Sequence, residues 1–228
     1  MGMKIFYDGV NIKKYIGDVD GVTTNTSYIA QAGITNYKEF MQKSLAEVGG
    51  KPISFQVTSR EIGGIEQQAR YISSLGDNVY VKIPIILPQE ESTGELIKSL
   101  SKEGMKINVT CIHTEQQIVE AFGSVSKDSS SIISVFSGGI SDAANYPNSH
   151  IETAVKLTEN HDNIEVLWAG CQRVLSIVEA DDMGCDIITV PDGILNKASR
   201  MSVPLYETSV KKAELFFSDG DKLRWMDF

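Results

Sequence analysis

The chain has 228 residues and is 42% hydrophobic, and its 30 acidic residues outnumber its 21 lysines and arginines, which gives a formal net charge of −9. This is enough apolar sequence for one sizeable core, and the acidic balance argues against nucleic acid or an anionic membrane as the main partner. No apolar run is long enough to span a bilayer, and the amino terminus leads straight into a strand-like segment, so we expect neither a membrane span nor a signal peptide.

Eight short apolar segments, rich in β-branched residues, are typical of buried strands. In chain order they are Lys4–Tyr7, Gly21–Asn25, Pro52–Val57, Asn78–Ile85, Met105–Thr110, Ser131–Phe136, Asn163–Ala169 and Asp186–Val190. Segments with helical spacing separate nearly all of them, namely Ser27–Gln31, Asn36–Glu47, Arg60–Ser74, Ser92–Lys102, Thr114–Phe122, Asn148–His161 and Gln172–Met183. Thr26 is the expected cap of the first helix, and the stretch Lys13–Asp20 is short and polar.

Two more helices, Gly193–Ala198 and Pro204–Phe217, follow the last strand, and the tail Ser218–Phe228 carries the aromatic residues Trp225 and Phe228. Repeated strand–helix units with buried strands predict a parallel sheet, and eight of them predict a closed (β/α)8 (TIM) barrel. We therefore expect one domain over residues 1–228, with a C-terminal helix and an aromatic tail. An open doubly wound sheet is the alternative, weakened because no Gly-x-Gly-x-x-Gly follows the first strand.

Lys82 lies between Val81 and Ile83 near the end of the fourth predicted strand. A buried lysine loses the solvation of its charge, which lowers its pKa, and a neutral amine is a nucleophile for carbonyl compounds. The alternative is a lysine whose amine reaches solvent at the strand end. The sequence around Lys82 alone leaves both interpretations open.

Polar or small residues close most of the other strands, where a barrel carries its chemistry. Each is individually ambiguous, since it could be a turn former, a helix cap or an ordinary strand residue. They are Asp8, Asn25, Gln56, Asn108, Thr110, Ser134 with Phe136, and Gly170. Closure of the barrel would bring these residues and Lys82 to one mouth, which predicts an active site there. None of the three histidines has metal-ligand spacing with another histidine or cysteine, so we expect neither a metal nor a cofactor.

The chain resembles the transaldolase and fructose-6-phosphate aldolase family, whose members are class I, Schiff-base aldolases. The resemblance covers nearly the whole chain. Residues 21–27, GVTTNTS, are close to the family's G-V-T-T-N-P-S, and residues 81–84 match its V-K-I-P, whose lysine forms the imine. Residues 108–110 match N-x-T, residues 134–139 are similar to S-P-F-V-G-R, and residues 4–8 resemble the opening strand.

The resemblance implies a role for each matching residue. Lys82 would attack the ketone carbon of a ketose, and Asp8 would shuttle protons as the C–C bond breaks. Gln56 and Thr110 would hold the catalytic water. Asn25, Asn108 and Ser134 would bind hydroxyls of a dihydroxyacetone unit. It also implies small-molecule ketose and aldehyde substrates and a homo-oligomeric ring, such as a pentamer or decamer, in which C-terminal helices embrace neighbouring subunits.

Three positions depart from the family pattern. The phosphate-binding arginine after strand six falls on Gly139, the serine after strand seven on Gly170, and the basic residue beyond it on Gln172. Arg173 is the adjacent base and the candidate replacement, and Trp168 is either a pocket wall or a packing residue. We therefore expect a substrate other than an ordinary sugar 6-phosphate, because bidentate, charge-assisted bonds to phosphate need a basic fork.

Gln56 and Phe136 combine the residues typical of aldolases and of transaldolases, so release and transfer of the dihydroxyacetone unit both stay open. A barrel that has lost turnover and only binds a sugar or metabolite is the main rival, and a deoxyribose-phosphate-type aldolysis is a weaker one. We expect a cytoplasmic protein, because three widely spaced cysteines suggest free thiols in a reducing compartment. They are Cys111, Cys171 and Cys185.

Overall fold

The computed structural model describes residues 2–198 and 201–223, and its centre is a closed barrel of eight parallel strands in sequence order. The strands are β1 (Lys4–Asp8), β2 (Gly21–Thr23), β3 (Ile53–Gln56), β4 (Val79–Pro84), β5 (Ile107–Ile112), β6 (Ser131–Val135), β7 (Ile164–Trp168) and β8 (Ile187–Pro191). β8 pairs in parallel with β1 and closes the ring. The predicted (β/α)8 barrel is confirmed, and the open sheet is excluded.

Helices connect the strands on the outside of the barrel. They are α1 (Ile12–Tyr15), α2 (Thr26–Gln31), α3 (Tyr37–Val48), α4 (Ile62–Ser73), α5 (Gly94–Lys102), α6 (Glu115–Ser124), α7 (Ser137–Asp142), α8 (Asn148–Thr158), α9 (Leu175–Asp182), α10 (Asp192–Ala198) and α11 (Leu205–Gly220). The sequence did not predict α1 or α7. α1 is a single turn that buries Ile12 and Tyr15 around two lysines. α7 contains Gly138 and Gly139, which the sequence suggests as helix breakers.

The cap of α2 differs from the prediction. Asn25, not Thr26, precedes the first helical residue, and its side chain accepts a hydrogen bond from the backbone N–H of Tyr28 at 3.0 Å. β2 correspondingly ends at Thr23, two residues earlier than predicted. Asn25 is therefore held at the junction between a strand end and a helix start, where a side-chain oxygen satisfies an otherwise unpaired backbone N–H.

Two apolar layers hold the barrel. The larger lies between the strands and the surrounding helices and contains outward-facing residues such as Val81, Ile112 and Val135. The smaller fills the inside of the barrel, and its members are Phe6, Tyr80, Ile132, Leu167, Ala169 and Ile187, with Phe136 packed against them. Because successive side chains of a strand point to opposite faces, the inner layer fixes which residues face inward along each strand.

α11 has no buried residue, although it carries several large apolar side chains. Leu205, Tyr206, Phe216 and Phe217 are each at least 66% exposed. The predicted tail begins inside this helix, and Trp225 and Phe228 lie outside the described residues. No helix in the described ranges is long and apolar enough to cross a membrane.

Candidate active site

Strand register brings several predicted residues to one level inside the barrel. Lys82 is two residues beyond Tyr80, and Asp8 is two residues beyond Phe6, so both follow residues of the inner layer on the same face of their strands. Lys82 pairs with Gln56 on β3 and with Asn108 on β5. Residues paired in neighbouring strands share a face, so these polar side chains cap the apolar interior of the barrel.

Lys82 is only 5% exposed. Its amine makes one long contact, 3.4 Å to the carbonyl oxygen of Thr24, and forms no ion pair within 4.0 Å with any described carboxylate. Burial lowers the pKa of the Lys82 amine, and the nearby charge of Asp8 only partly offsets this effect. Lys82 is therefore buried, as one of the two interpretations predicted, and the solvent-reaching alternative is excluded.

Asp8 is held by hydroxyl groups. The Thr23 hydroxyl donates to its carboxylate at 2.9 Å, and the Thr189 hydroxyl lies 2.5 Å from that of Thr23. Because Thr23 has one proton to donate, Thr189 must donate to Thr23 when Thr23 donates to Asp8. Burial raises the pKa of Asp8, while Lys82 and hydrogen bonds from Thr23 and Asn25 lower it, and the net direction is upward.

Asn108 is fully buried and fixed at both ends of its amide. The Ser134 hydroxyl donates to its Oδ1 at 2.7 Å, and its Nδ2 donates to the Ser54 hydroxyl at 3.1 Å. The network therefore assigns which end of the amide is the oxygen. Sequence reasoning missed Ser54 as well as Thr23 and Thr189, because a short hydroxyl residue within a strand carries no distinctive pattern.

Thr110 is also fully buried, and its hydroxyl has no hydrogen-bond partner among the described residues. The next residue, Cys111, has a left-handed backbone with φ 63°, and the pairing of β5 with β6 shifts register at this point. The backbone N–H and C=O of Gln56 are both bonded to the Tyr37 hydroxyl, at 3.0 and 2.9 Å, which anchors the end of β3.

Trp168 and Arg173, which were predicted to bind substrate, lie apart from this group. Trp168 pairs with the outward-facing Val135 and belongs to the outer apolar layer. Both residues line a cavity of about 620 Å³ between α7, the loop that follows it, and α9, and none of the residues around Lys82 lines this cavity. Arg173 is paired with Glu179 at 2.6 Å. The structure thus divides the predicted site residues into two groups, and their roles stay predictions.

The Transaldolase/Fructose-6-phosphate aldolase family model matches residues 5–224. The chain belongs to this family. A probable transaldolase of Desulfatibacillum aliphaticivorans is 33% identical over 226 residues, covering 96% of this chain and 99% of that protein. A probable transaldolase of Nitrosopumilus maritimus is 30% identical, covering 97% of this chain and 96% of that protein. These names and the family indicate a transaldolase-like aldolase.

A solved structure of 3-hexulose-6-phosphate synthase from Salmonella typhimurium has a TM-score of 0.58 and 14% identity, covering 85% of this chain and 91% of that one. At this identity the likeness shows the barrel fold alone. Within the residues that the structure describes, no group of three or more His, Cys, Asp or Glu side chains could hold a metal ion.

The glycines at and beside the positions that depart from the family pattern are tightly packed. A Cβ on Gly138 would lie 2.1 Å from the carbonyl oxygen of Gly170, so these two loops pack backbone against backbone. A Cβ on Gly139 would lie 2.5 Å from Nε2 of His113. The space next to Gly139 is therefore occupied by an imidazole. Sequence reasoning weighed His113 only as a metal ligand and missed this packing.

Proposed function

We propose that this chain is a class I aldolase or transaldolase that breaks and forms ketose C–C bonds through a Schiff base on Lys82, with dihydroxyacetone as the donor unit. The observation that carries the proposal is one buried amine of lowered pKa, facing the same barrel interior as a carboxylate of raised pKa. Shifted pKa values of opposite kinds at a strand-end site are typical of a nucleophile and its acid–base partner.

In this mechanism the neutral Lys82 amine adds to the ketone carbon, and water leaves to give a protonated imine. Asp8 takes the proton from the hydroxyl at the carbon beyond the bond to be cleaved. The C–C bond then breaks and an aldehyde leaves. The electron pair of the broken bond passes into the protonated imine, which becomes a neutral enamine. The enamine then adds to an acceptor aldehyde, or is protonated and hydrolysed to release dihydroxyacetone.

The neighbouring polar groups suit the remaining roles. Asn108, held by two serines, is rigid enough to orient a hydroxyl of the three-carbon unit, and Ser134 and Asn25 are proposed to share that task. The unpaired Thr110 hydroxyl and the side chain of Gln56 are proposed to hold the catalytic water. A buried hydroxyl without a partner is costly unless a ligand or water completes it.

The aldehyde end of the substrate is proposed to lack phosphate. Support comes from Gly139, Gly170 and Gln172, which carry no cation, and from Arg173, whose guanidinium is already paired with Glu179. Comparison of kcat/KM for fructose and fructose 6-phosphate tests this, and a strong preference for the phosphorylated sugar would contradict it.

Borohydride trapping tests the nucleophile. The protein is incubated with saturating dihydroxyacetone or fructose, sodium borohydride is added, and intact mass and peptide mapping locate the reduced adduct. We expect the adduct on Lys82 and its loss in Lys82→Met, with Lys106→Met, changed just before β5, as the matched control. An unmodified wild-type protein would reject the mechanism. Turnover with and without an acceptor aldehyde then separates transfer from release.

The second candidate function is a barrel that binds a sugar or metabolite without turnover. The absence of cations at Gly139, Gly170 and Gln172 favours it, because a catalytic site for phosphorylated sugars would have lost its anion contacts. Thermal-shift screening would reveal stabilising ligands. Ligand binding without a trappable adduct or turnover on any aldehyde would support this candidate over the enzyme.

We also propose a homo-oligomer in the cytoplasm, in which α11 packs against a neighbouring subunit in a pentameric or decameric ring. The apolar and wholly exposed face of α11 supports this assembly, and three free cysteines suit a reducing compartment. Light scattering of the full chain and of a variant truncated before Ser218 tests the tail. Phe216→Ser and Phe217→Ser test the helix, and a monomeric wild-type protein would contradict the ring.

A further inference from the structure

Near its carboxyl end, β5 carries one more residue than its partner strand β6. Val109 pairs with Ile133 and Ile112 pairs with Val135, so two residues of β5 oppose one residue of β6. Cys111 takes up the extra residue with a left-handed φ of 63°. An extra residue of this kind is a β-bulge. Side chains that follow it in the strand point to the opposite face of the sheet from the one that simple alternation predicts.

The bulge places His113, an exposed residue, on the same side of β5 as Phe136. Without it, Ile112 would face inward with Asn108 and Thr110, and His113 would face the helices. With it, Ile112 belongs to the outer apolar layer, and the ring of His113 lies 5.2 Å from that of Phe136, which packs on the inner layer. Left-handed non-glycine residues persist where the surrounding structure requires them, often at functional sites.

The hydrogen bonds of His113 fix both its position and its tautomer. Its backbone N–H donates to Oε1 of Gln117 at 2.8 Å, which ties it to the capping box of α6. Its Nδ1 lies 3.2 Å from the carbonyl oxygen of Cys111. A carbonyl only accepts, so Nδ1 carries the proton of the neutral ring, and Nε2 is left as an acceptor.

We propose that His113 is the specificity-determining residue for the end of the substrate distant from Lys82, and that it selects a hydroxyl over a phosphate. Nε2 occupies the space beside Gly139, and its lone pair accepts one hydrogen bond from a hydroxyl of a neutral polyhydroxy aldehyde or ketose. In the tautomer with its proton on Nδ1, the ring supplies an acceptor for a hydroxyl but no donor at Nε2 for a phosphate dianion, which needs donors or a cation. This inference rests on the proposed aldolase function and names its substrate class.

The test compares the addition of dihydroxyacetone to D-glyceraldehyde and to D-glyceraldehyde 3-phosphate. We expect His113→Ala to lower kcat/KM for glyceraldehyde by about fivefold to tenfold, the loss of one hydrogen bond, and to leave the phosphorylated acceptor unchanged. His113→Gln keeps an acceptor near the position of Nε2 and should restore most of the activity. His113→Asn keeps only the Nδ1 side and should not.

Gly139→Ala supplies an independent perturbation, because its Cβ would displace Nε2. We expect the same selective loss as in His113→Ala, and no added loss when the two changes are combined. His150→Ala, on α8, is the matched control.

A loss confined to the phosphorylated acceptor would overturn the inference, because the imidazole would then act as a cation. Equal loss for both acceptors, loss for neither, or full activity in His113→Asn would overturn it as well. Borohydride trapping of dihydroxyacetone on Lys82 is measured in every variant. Intact trapping with unchanged selectivity rejects the role of His113 alone, whereas absent trapping in the wild type rejects the proposed function.

Discussion

Replacing Lys82 with methionine should make the protein more stable, although it removes the proposed nucleophile. The net lowering of the Lys82 pKa already includes its attraction to Asp8, so the buried ammonium is unfavourable even after that attraction is counted. Its single contact, 3.4 Å to the Thr24 carbonyl oxygen, satisfies little of its hydrogen-bonding capacity. Methionine fills a similar volume with no polar group to desolvate.

The magnitude follows from the cost of burying a poorly bonded polar group, about 1–3 kcal/mol. For a chain of this length, that corresponds to a rise in Tm of about 3–10 °C. The assay is thermal unfolding of both proteins at equal subunit concentration. Lys51→Met is the contrasting control, because Lys51 donates to the carbonyl oxygens of Ile16 and Val19 at 2.7 and 2.6 Å, and this variant should lose stability.

The effect should also depend on pH in a defined direction. Below the lowered pKa of Lys82 the folded chain carries the full penalty of charging the amine. Above the ordinary value of 10.5 the unfolded chain has lost the proton as well, and the penalty disappears. The advantage of Lys82→Met should therefore shrink between pH 7 and about pH 10.5. A variant less stable than the wild type at pH 7, or a gain independent of pH, would refute the reasoning.

Three further predictions concern other residues. Asp8→Asn should lower kcat by about 10²–10⁴ while the borohydride-trapped imine still forms, and a loss below tenfold would argue against proton transfer by Asp8. Thr110→Val removes a hydroxyl without a partner, so Tm should stay unchanged or rise while kcat falls; a lower Tm would show that the hydroxyl is bonded after all. Gly138→Ala forces a Cβ to 2.1 Å from the Gly170 carbonyl oxygen and should cost about 1–3 kcal/mol in a denaturation experiment. Gly193→Ala, where a Cβ meets nothing within 4 Å, is its control and should cost nothing.

The strand–helix alternation predicted the barrel because each strand is a short apolar run bounded by turn residues. The segments that connect the strands were harder to predict. α7 was missed because Gly138 and Gly139 resemble helix breakers, whereas their real constraint is the close approach of Gly170 and His113. Such a contact joins residues distant in sequence, and no local pattern reports it.

The sequence predicted several residue types of the candidate site, but it did not predict which side chains point into the barrel and which point outward. Lys82 and Asp8 were identified from strand ends and lie where the prediction expected them. Trp168 lies in the uninterrupted apolar run of residues 166–169, so alternation could not show that it points outward. His113 lies beside Phe136 because of an extra residue in β5, and the sequence around Cys111 carries no signal of this bulge, which only the left-handed backbone of Cys111 reveals.

The exposed helix α11 has a consequence for how this chain folds. A 16-residue helix that buries no side chain receives almost no tertiary stabilisation from its own subunit, and isolated helices of this length are marginal in water. In the proposed homo-oligomer, contacts with a neighbouring subunit would supply this stabilisation. Dilution of that oligomer should then reduce the far-ultraviolet circular dichroism of the helix while the barrel signal persists, so that the last folding step depends on protein concentration.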